Sequence, residues 1–379
     1  MKQHIYLIAG EASGDFLGAQ LMAALKEQSP DLHFSGVGGT LMTAQGLNSL
    51  FPMDELSVMG VFEILPKLKS LLGRIEQTAQ DIIRQKPDIV ITIDAPDFSF
   101  RVHKKLRKAL GLDAPKLVHY VAPTVWAWRP KRAAKISKFL DALICLFHFE
   151  PPYFEKEGLE AIAVGHPMME SGVLEAKAQA EKNGSQKLGV FFGSRRGEVK
   201  RLSPILIEAL RNVKKAEPAI ELVVPTLAHI KEDVEAALSR VDLKAHIFVS
   251  PQNKWEIFKS CDAAIAVSGT VGLELSACNV PHLIAYRMNS LTAFVGRMLI
   301  KTRFAHLANI ILNKEVVPEF IQENCTPEKI ARQTLHLLND EQVRVAQQNA
   351  FNDVRTKIMG HNQQQPSKTA ADFILLQLK

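Results

Sequence analysis

Short apolar runs rich in β-branched residues alternate with stretches of helical periodicity along almost the whole chain. That alternation confines it to folds built on βαβ units and parallel sheets. Strand-like runs fall at 5–9, 33–37, 88–93, 116–121, 142–146 and 161–164, then at 188–192, 221–224, 245–249, 263–267 and 282–284. Helical patterns fall between them at 16–28, 71–85, 132–138, 204–216, 230–239 and 254–261. Ser203-Pro204 reads as an N-cap followed by proline at the first helical position. A polar stretch at 168–186, rich in Ala, Lys and Glu, divides the two strand series and reads as a linker. The expected organisation is a first α/β domain over 1–167 and a second over 187–344, facing each other across a cleft. After Thr326-Pro327 the chain is mainly amphipathic helix, suited to a covering tail.

Two turns in the second half point to a nucleotide. Phe192-Gly193-Ser194-Arg195-Arg196-Gly197-Glu198 and Ser268-Gly269-Thr270-Val271-Gly272-Leu273-Glu274 each follow a buried-strand pattern and open a helix. Gly and Ser let backbone N–H groups approach an anion, and a helix N-terminus favours negative charge. Arg195 adds a fork suited to phosphate, and Glu274, a turn into its helix, can accept from a ribose. Two such turns on one sheet suit a nucleoside diphosphate lying across strand ends.

The first half carries the remaining chemistry. Gly10-Glu11-Ala12-Ser13-Gly14-Asp15 ends the first strand. It is neither G-x-G-x-x-G nor a Walker loop. Its acids suit sugar hydroxyls, or Ser13 or Asp15 caps the next helix in a plain βα turn. Asp94-Ala95-Pro96-Asp97-Phe98 follows the run 89–93, placing carboxylates where ligands of parallel sheets bind. One can serve as a general base, or Asp97 caps a turn and Asp94 holds a loop. Two of the three tryptophans, Trp126 and Trp128, flank Ala127 beside Pro123 and Arg129. They read as a sugar or acyl platform or as a packed wedge. Segment 56–73 is strongly apolar, with Met59, Val61, Phe62, Ile64, Leu65 and Leu68 edged by Lys67, Lys69 and Arg74. It reads as membrane-surface contact, the alternative being a buried helix. The basic runs 104–108 and 131–138 read as solvated helix faces.

Bulk properties exclude several classes. With 379 residues, 47% apolar and 23% charged, the chain suits two globular domains. A net charge of +6 fits an anionic substrate or membrane surface, and its basic residues are too dispersed for nucleic-acid recognition. The four cysteines are far apart and read as reduced core residues, the histidines lack metal-ligand spacing, and no G-x-S-x-G elbow occurs. Neither a secretory signal nor a membrane-spanning run is visible. His166 reads as a satisfied interdomain residue.

These motifs, in this order, resemble the lipid-A-disaccharide synthase family over nearly the whole chain. The carriers are 8–15, 93–98, 125–129, Gly193-Ser194-Arg195 with Glu198, and Ser268-Gly269-Thr270 with Leu273-Glu274. The resemblance implies an α/β, GT-B glycosyltransferase: two Rossmann-like domains with parallel sheets facing a central cleft, and C-terminal helices over 345–379 crossing back to the first domain. It implies condensation of UDP-2,3-diacylglucosamine with 2,3-diacylglucosamine 1-phosphate, with inversion, to a β(1→6) disaccharide 1-phosphate and UDP. No metal or cofactor is implied. The setting implied is peripheral, on the cytoplasmic face of the bacterial inner membrane, with homodimers that exchange C-terminal segments.

Carried across by position, Asp94 is the base on the acceptor 6-hydroxyl, and Arg195 stabilises the UDP leaving group. Gly193, Ser194, Ser268, Gly269, Thr270 and Glu274 hold the nucleotide. Glu11, Ser13, Gly14, Asp15, Asp97, Trp126 and Asn309 face the sugars. Ala122-Pro123-Thr124, Arg196-Gly197 and Ala308-Asn309 depart from the family pattern, where Ser-Pro-Ser, a small pair and Pro-Asn are usual. A UDP-sugar epimerase or hydrolase of the same fold, which needs no acceptor, and a non-catalytic nucleotide-sensing scaffold are the competing readings.

Overall fold

The computed structural model describes residues 3–56, 61–177, 185–240, 244–267, 269–288, 302–360 and 364–378, with side chains of the helix beginning at Val61 described from Ser70. The chain forms two compact units, Met1–Pro167 with Ile358–Lys379, and Met168–Lys357.

The first unit holds strands β1 (His4–Ala9), β2 (His33–Val37), β3 (Ile89–Ile93), β4 (Lys116–Tyr120), β5 (Ala142–Cys145) and β6 (Glu160–Ala163). They form one sheet in the order β2-β1-β3-β4-β5-β6, parallel throughout. Helices α1 (Ala12–Gln28), α2 (Thr40–Ala44), α3 (Val61–Gln85), α4 (Pro96–Leu110), α5 (Arg132–Ile136) and α6 (Pro152–Glu155) connect the strands. Alternate strand residues face opposite layers. Ile5, Leu7, Ile89, Ile91 and Ile144 pack with Leu21 and Leu25 of α1, and with Phe373 and Ile374 of the C-terminal helix Pro366–Gln377. Tyr6, Ile8, Val90, Leu117 and Leu143 pack with Ile82 of α3, Phe98 and Leu106 of α4, and Phe154 of α6.

The second unit holds β7 (Lys187–Val190), β8 (Glu221–Thr226), β9 (Ala245–Val249), β10 (Ala263–Ala266), β11 (His282–Tyr286) and β12 (Glu319–Ile321). Its parallel order is β12-β11-β10-β7-β8-β9. The helices are α7 (Arg196–Ala216), α8 (Lys231–Leu238), α9 (Lys254–Lys259), α10 (Thr270–Ala277), α11 (Leu307–Leu312), α12 (Pro327–Asn339) and α13 (Glu341–Ile358), with α14 (Pro366–Gln377) returning to the first unit. Leu188, Val190, Leu222, Val224, Ile265 and Leu283 meet Leu202 and Leu206 of α7 and Ile330 and Leu337 of α12.

Several details differ from the sequence reading. Helix α7 begins at Arg196, so Ser203-Pro204 lies inside it and does not start it. The Ser203 hydroxyl donates back to the Val199 carbonyl at 2.6 Å, the back-bonding open to a mid-helix serine. Strand β12, three residues long, is too short to show a period. Helix α4 carries the basic run 104–108, read as a helix face, but begins well before it, with Pro96 at its first turn. The polar segment after Pro167 packs early on the second unit: Trp255 Nε1 donates to the Ser171 carbonyl at 2.8 Å, and Lys259 donates to that of Ala176 at 2.7 Å. Most of α13 also belongs to the second unit. There Gln347 accepts from the His282 N–H at 2.6 Å, and Phe351 stacks on the His282 ring. The chain therefore rejoins the first unit at Ile358 rather than at 345. The Ile358 carbonyl accepts the His166 N–H at 2.7 Å. Gly165, at φ +97, lets the two segments meet: a Cβ there would sit 2.6 Å from the Gly360 nitrogen.

Both cores bury imidazoles in hydrogen-bonded chains. In the first, the Thr92 hydroxyl bridges His103 Nε2 at 2.8 Å and His119 Nδ1 at 2.7 Å. In the second, Ala308 N–H donates to His306 Nδ1, which leaves Nε2 of His306 to donate to His282 Nε2, and His282 Nδ1 to donate to the Val280 carbonyl. Burial drives all four below the usual imidazole range, His119 to about 3 and His282 to about 4. They are neutral when folded, whereas the unfolded chain takes up protons below about pH 6.5. Stability is therefore full above that value and is lost as pH falls toward 4. Urea titrations between pH 7 and 4 should show a loss on the order of 3 kcal/mol or more across this window. A flat profile would contradict the assignment.

Candidate functional site

In each sheet the strand order reverses beside the first strand, and the loops at that reversal carry the candidate residues. In the second unit the reversal lies between β7 and β10, which are adjacent and parallel. The turn Gly193–Arg195 follows β7, and Gly269–Thr270 follows β10, so both turns share one end of one sheet. Gly193 has φ +107 and Gly269 φ +141, conformations that side-chain-bearing residues rarely adopt.

Glu198, in the first turn of α7, accepts the N–H groups of Ser194 at 3.0 Å and Arg195 at 3.3 Å. His229 Nε2 stands 3.0 Å from the Ser194 carbonyl, a contact that braces the turn. The Arg195 guanidinium is 81% exposed and its pairing with Glu198 is long, at 3.7 Å, so it can turn toward a phosphate. Thr270 is exposed at the start of α10, whereas Glu274 is partly buried and takes the Lys254 ammonium on one oxygen at 3.1 Å. Its second oxygen suits a ribose hydroxyl. Lys254 had no sequence signal, because twenty residues of chain separate it from its partner. Ser268 lies outside the described residues.

In the first unit the reversal lies between β1 and β3. Here Glu11, Ser13 and Asp94 come together. Ser13 Oγ is 3.5 Å from Asp94 Oδ2. The Glu11 carboxyl is raised above the usual range, first by burial and then by the Asp94 charge. Asp94 itself is held through its backbone: its N–H donates to the Tyr120 carbonyl at 2.9 Å, and its carbonyl accepts Ser99 Oγ at 2.8 Å. Oδ1 accepts the Ala95 N–H at 2.9 Å. Asp94 and Ala95 have φ of 53° and 43°, and Val121 at the end of the neighbouring strand has φ 80°. Consecutive left-handed residues without glycine are strained, and such strain concentrates at functional sites. Gly10 makes room for this turn, since a Cβ there would stand 2.7 Å from that of Ala95. Gly14 lets α1 approach β3, since a Cβ there would stand 3.2 Å from the Ile93 carbonyl oxygen, and Asp97 is exposed in the first turn of α4.

Two residues expected to face sugars are used elsewhere. Asp15 is 4% exposed and accepts the N–H groups of Gly39, Leu41 and Met42 at 2.8–3.0 Å. It caps α2, where backbone donors would otherwise be orphaned. Asn309 is fully buried. Its amide donates to the Val317 carbonyl and Glu319, and its oxygen accepts from the Val316 and Val317 N–H groups, all at 2.8 Å. It pins the segment leading to β12. Trp126 is half-buried and donates to Glu150 at 3.1 Å. The side chains of Met59, Val61, Phe62, Ile64, Leu65 and Leu68 lie outside the described residues.

The two basic runs converge: Lys104, Arg107, Lys108, Lys135 and Lys138 line an open cavity of about 410 Å³ around Phe139. It lies at the amino ends of β4 and β5, away from Asp94, where Asp141 pairs with Arg107 and accepts the Leu117 N–H. Among the described residues, no His, Cys, Asp and Glu group is disposed to hold a metal, and no helix is long and apolar enough to cross a membrane.

Two units of doubly wound parallel sheet, with loops gathered at both reversals, define a GT-B-type fold. A solved glycosyltransferase of kitacinnamycin superposes with a TM-score of 0.65 at 13% identity, covering 100% of both chains. A UDP-GlcNAc 2-epimerase from Neisseria meningitidis bound to UDP-GlcNAc superposes with a TM-score of 0.61 at 12% identity, covering 99% of this chain and 98% of that one. At such identities these likenesses speak to fold alone. The sequence profile of the lipid-A-disaccharide synthetase family matches residues 5–373. The lipid-A-disaccharide synthase of Rhodospirillum centenum is 43% identical over 378 residues, 98% of this chain and 94% of that one. The chain therefore belongs to the lipid-A-disaccharide synthase family. It is a hexosyltransferase of lipid A disaccharide formation, and the epimerase, hydrolase and scaffold readings are disfavoured.

The two displaced residues give a direct test. Asp15→Ala and Asn309→Ala should each cost about 1–3 kcal/mol in urea unfolding, through buried donors left unpaired. UDP affinity should stay within twofold in Asp15→Ala. An Asp15→Ala protein of unchanged stability would show that the carboxylate does not serve as a cap.

Proposed function

We propose that the chain condenses UDP-2,3-diacylglucosamine with 2,3-diacylglucosamine 1-phosphate. The acceptor 6-oxygen attacks the donor anomeric carbon from the face opposite UDP. The new C–O bond forms as the bond to the β-phosphate breaks, UDP leaves with the electron pair, and the configuration inverts. Asp94 takes the hydroxyl proton as general base. Arg195 and the N–H groups opening α7 and α10 offset the charge that develops on UDP.

Gly193, Ser194, Ser268, Gly269 and Thr270 form the phosphate turns, and Glu274, held by Lys254, takes the ribose. Glu11 and Ser13 orient sugar hydroxyls beside Asp94, with Asp97 and Trp126 on the acceptor side. The observation that carries the reading is the position of Asp94. Its carboxylate is fixed by a strained turn at the strand reversal, beside Glu11 and Ser13. Segment 56–72 supplies contact with the cytoplasmic face of the inner membrane, where both acylated substrates reside. A homodimer exchanging C-terminal segments would repeat with a second copy the packing of α14 on α1.

Mass spectrometry of the purified protein mixed with both acylated sugars should show the disaccharide 1-phosphate together with UDP, and no product would refute the reaction. Asp94→Asn should lower kcat by about 10²–10⁴ while UDP affinity holds. Near-normal turnover in that variant would exclude Asp94 as the base.

A further inference from the structure

Four aromatic rings gather in three successive loops of the first unit. Trp126 follows β4, Phe147 and Phe149 follow β5, and His166 follows β6. Trp126 meets Phe149 edge-on at 5.2 Å, Phe149 stacks on Phe147 at 5.5 Å, and Phe147 lies 5.8 Å from His166. All three loops leave the carboxyl ends of their strands. That is the end at which Asp94 stands on β3, tied to the last residue of β4 through the Tyr120 carbonyl. Phe147 is buried, whereas Trp126 and Phe149 are only half-buried and keep surface for a ligand. Ring pairs of this kind offer apolar area in a defined geometry.

One carboxylate ties the group together. Glu150 is 2% exposed. Its Oε1 accepts the Trp126 indole N–H at 3.1 Å, and its Oε2 accepts the backbone N–H groups of Leu146 at 3.1 Å and Phe147 at 3.0 Å. Its own N–H closes the turn on the Phe147 carbonyl at 3.0 Å, and its carbonyl accepts from Tyr153. Burial pushes its carboxyl up to about 7 in spite of the three donors. A buried carboxylate of this kind adds little to stability that an apolar residue of similar volume would not supply. What it adds is a fixed angle between one side chain on the β4 loop and the backbone of the β5 loop.

We propose that Glu150 is a positioning residue: by holding the Trp126 indole against Phe149 it keeps two half-buried rings as one apolar platform for the acylated acceptor sugar. The inference rests on the acceptor lying at this end of the first sheet, as the reaction above requires. The platform takes the non-polar part of that molecule, the C–H face of its ring or the first carbons of an acyl chain, while Glu11, Ser13 and Asp94 take its hydroxyls.

The test is calorimetric binding of 2,3-diacylglucosamine 1-phosphate and, separately, of UDP to the full-length protein. In Glu150→Gln a single amide oxygen replaces two acceptor oxygens, and the amide NH₂ confronts donors. Trp126→Phe keeps a ring but removes the indole N–H. Each variant should weaken acceptor binding about 5- to 20-fold, with UDP affinity within twofold, the scale expected for one lost hydrogen bond. The double variant should lose no more than the larger single loss, because both changes break one contact. Equal acceptor affinity in wild type and variants, or losses that multiply in the double variant, would overturn the inference. If Glu150→Gln does not fold, Trp126→Phe decides: a five-fold loss supports the platform and an unchanged affinity refutes it. A wild type that binds the acceptor but forms no disaccharide would fail the reaction alone. A wild type that does not bind it would overturn both.

Discussion

A strand in a parallel sheet cannot return to its neighbour by a tight turn, so every connection must cross over the sheet, and every strand ends at the same edge. The rest of this molecule depends on that constraint. It delivers the end of each strand to one side, and where the order reverses it parts the connections above and below the sheet. In the first unit the gap falls between β1 and β3, and in the second between β7 and β10. The chemistry-bearing residues are the ones the chain places immediately after those four strands. The helices that follow are then aimed with their amino ends toward the gap, which suits a substrate carrying phosphates.

Neighbouring carboxylates illustrate how little residue type alone decides. Glu11, Asp15 and Asp94 come from two loops at one end of one sheet. Asp15 spends both oxygens on the backbone of α2. Asp94 gives one oxygen to its own turn and keeps the other toward Ser13. Glu11 carries no cap contact and feels the Asp94 charge. Backbone donors separate the structural acid from those left to meet a ligand. In the second unit Glu198 occupies the donors of Ser194 and Arg195, so that turn is ordered by an internal anion.

Most of the fold was legible because eleven of the twelve described strands carry the apolar pattern of buried parallel strands, with glycine or proline near their ends. The exception, β12, is a three-residue edge strand whose place depends on Asn309 and Glu319. Helix α7 was misread at its start because Ser203-Pro204 is a strong local signal, and the earlier cap, in which Glu198 accepts from Ser194 and Arg195 while Val199 and Leu202 are buried, outweighs it. The nucleotide turns and Asp94 were legible as short contiguous motifs. The partners that tune them were not: Lys254 on Glu274, His229 on Ser194 and Glu150 on Trp126 are joined only by the fold. Asp15 and Asn309 show the opposite error, polar residues inside a recognisable motif whose work is to satisfy backbone.

The near-contact of Gly10 and Ala95 has a consequence for how sequences of this kind can diverge. Between the two loops there is room for a single methyl group. It now sits on the β3 side, on a residue whose left-handed backbone would be more comfortable as glycine. Carrying it instead on the β1 side, with alanine at 10 and glycine at 95, fills the same volume and relaxes the turn. It also frees the backbone that aims Asp94. Position 10 can therefore gain a side chain only once position 95 has lost its own, and a lineage that exchanged them would gain conformational ease at the cost of a less sharply directed carboxylate.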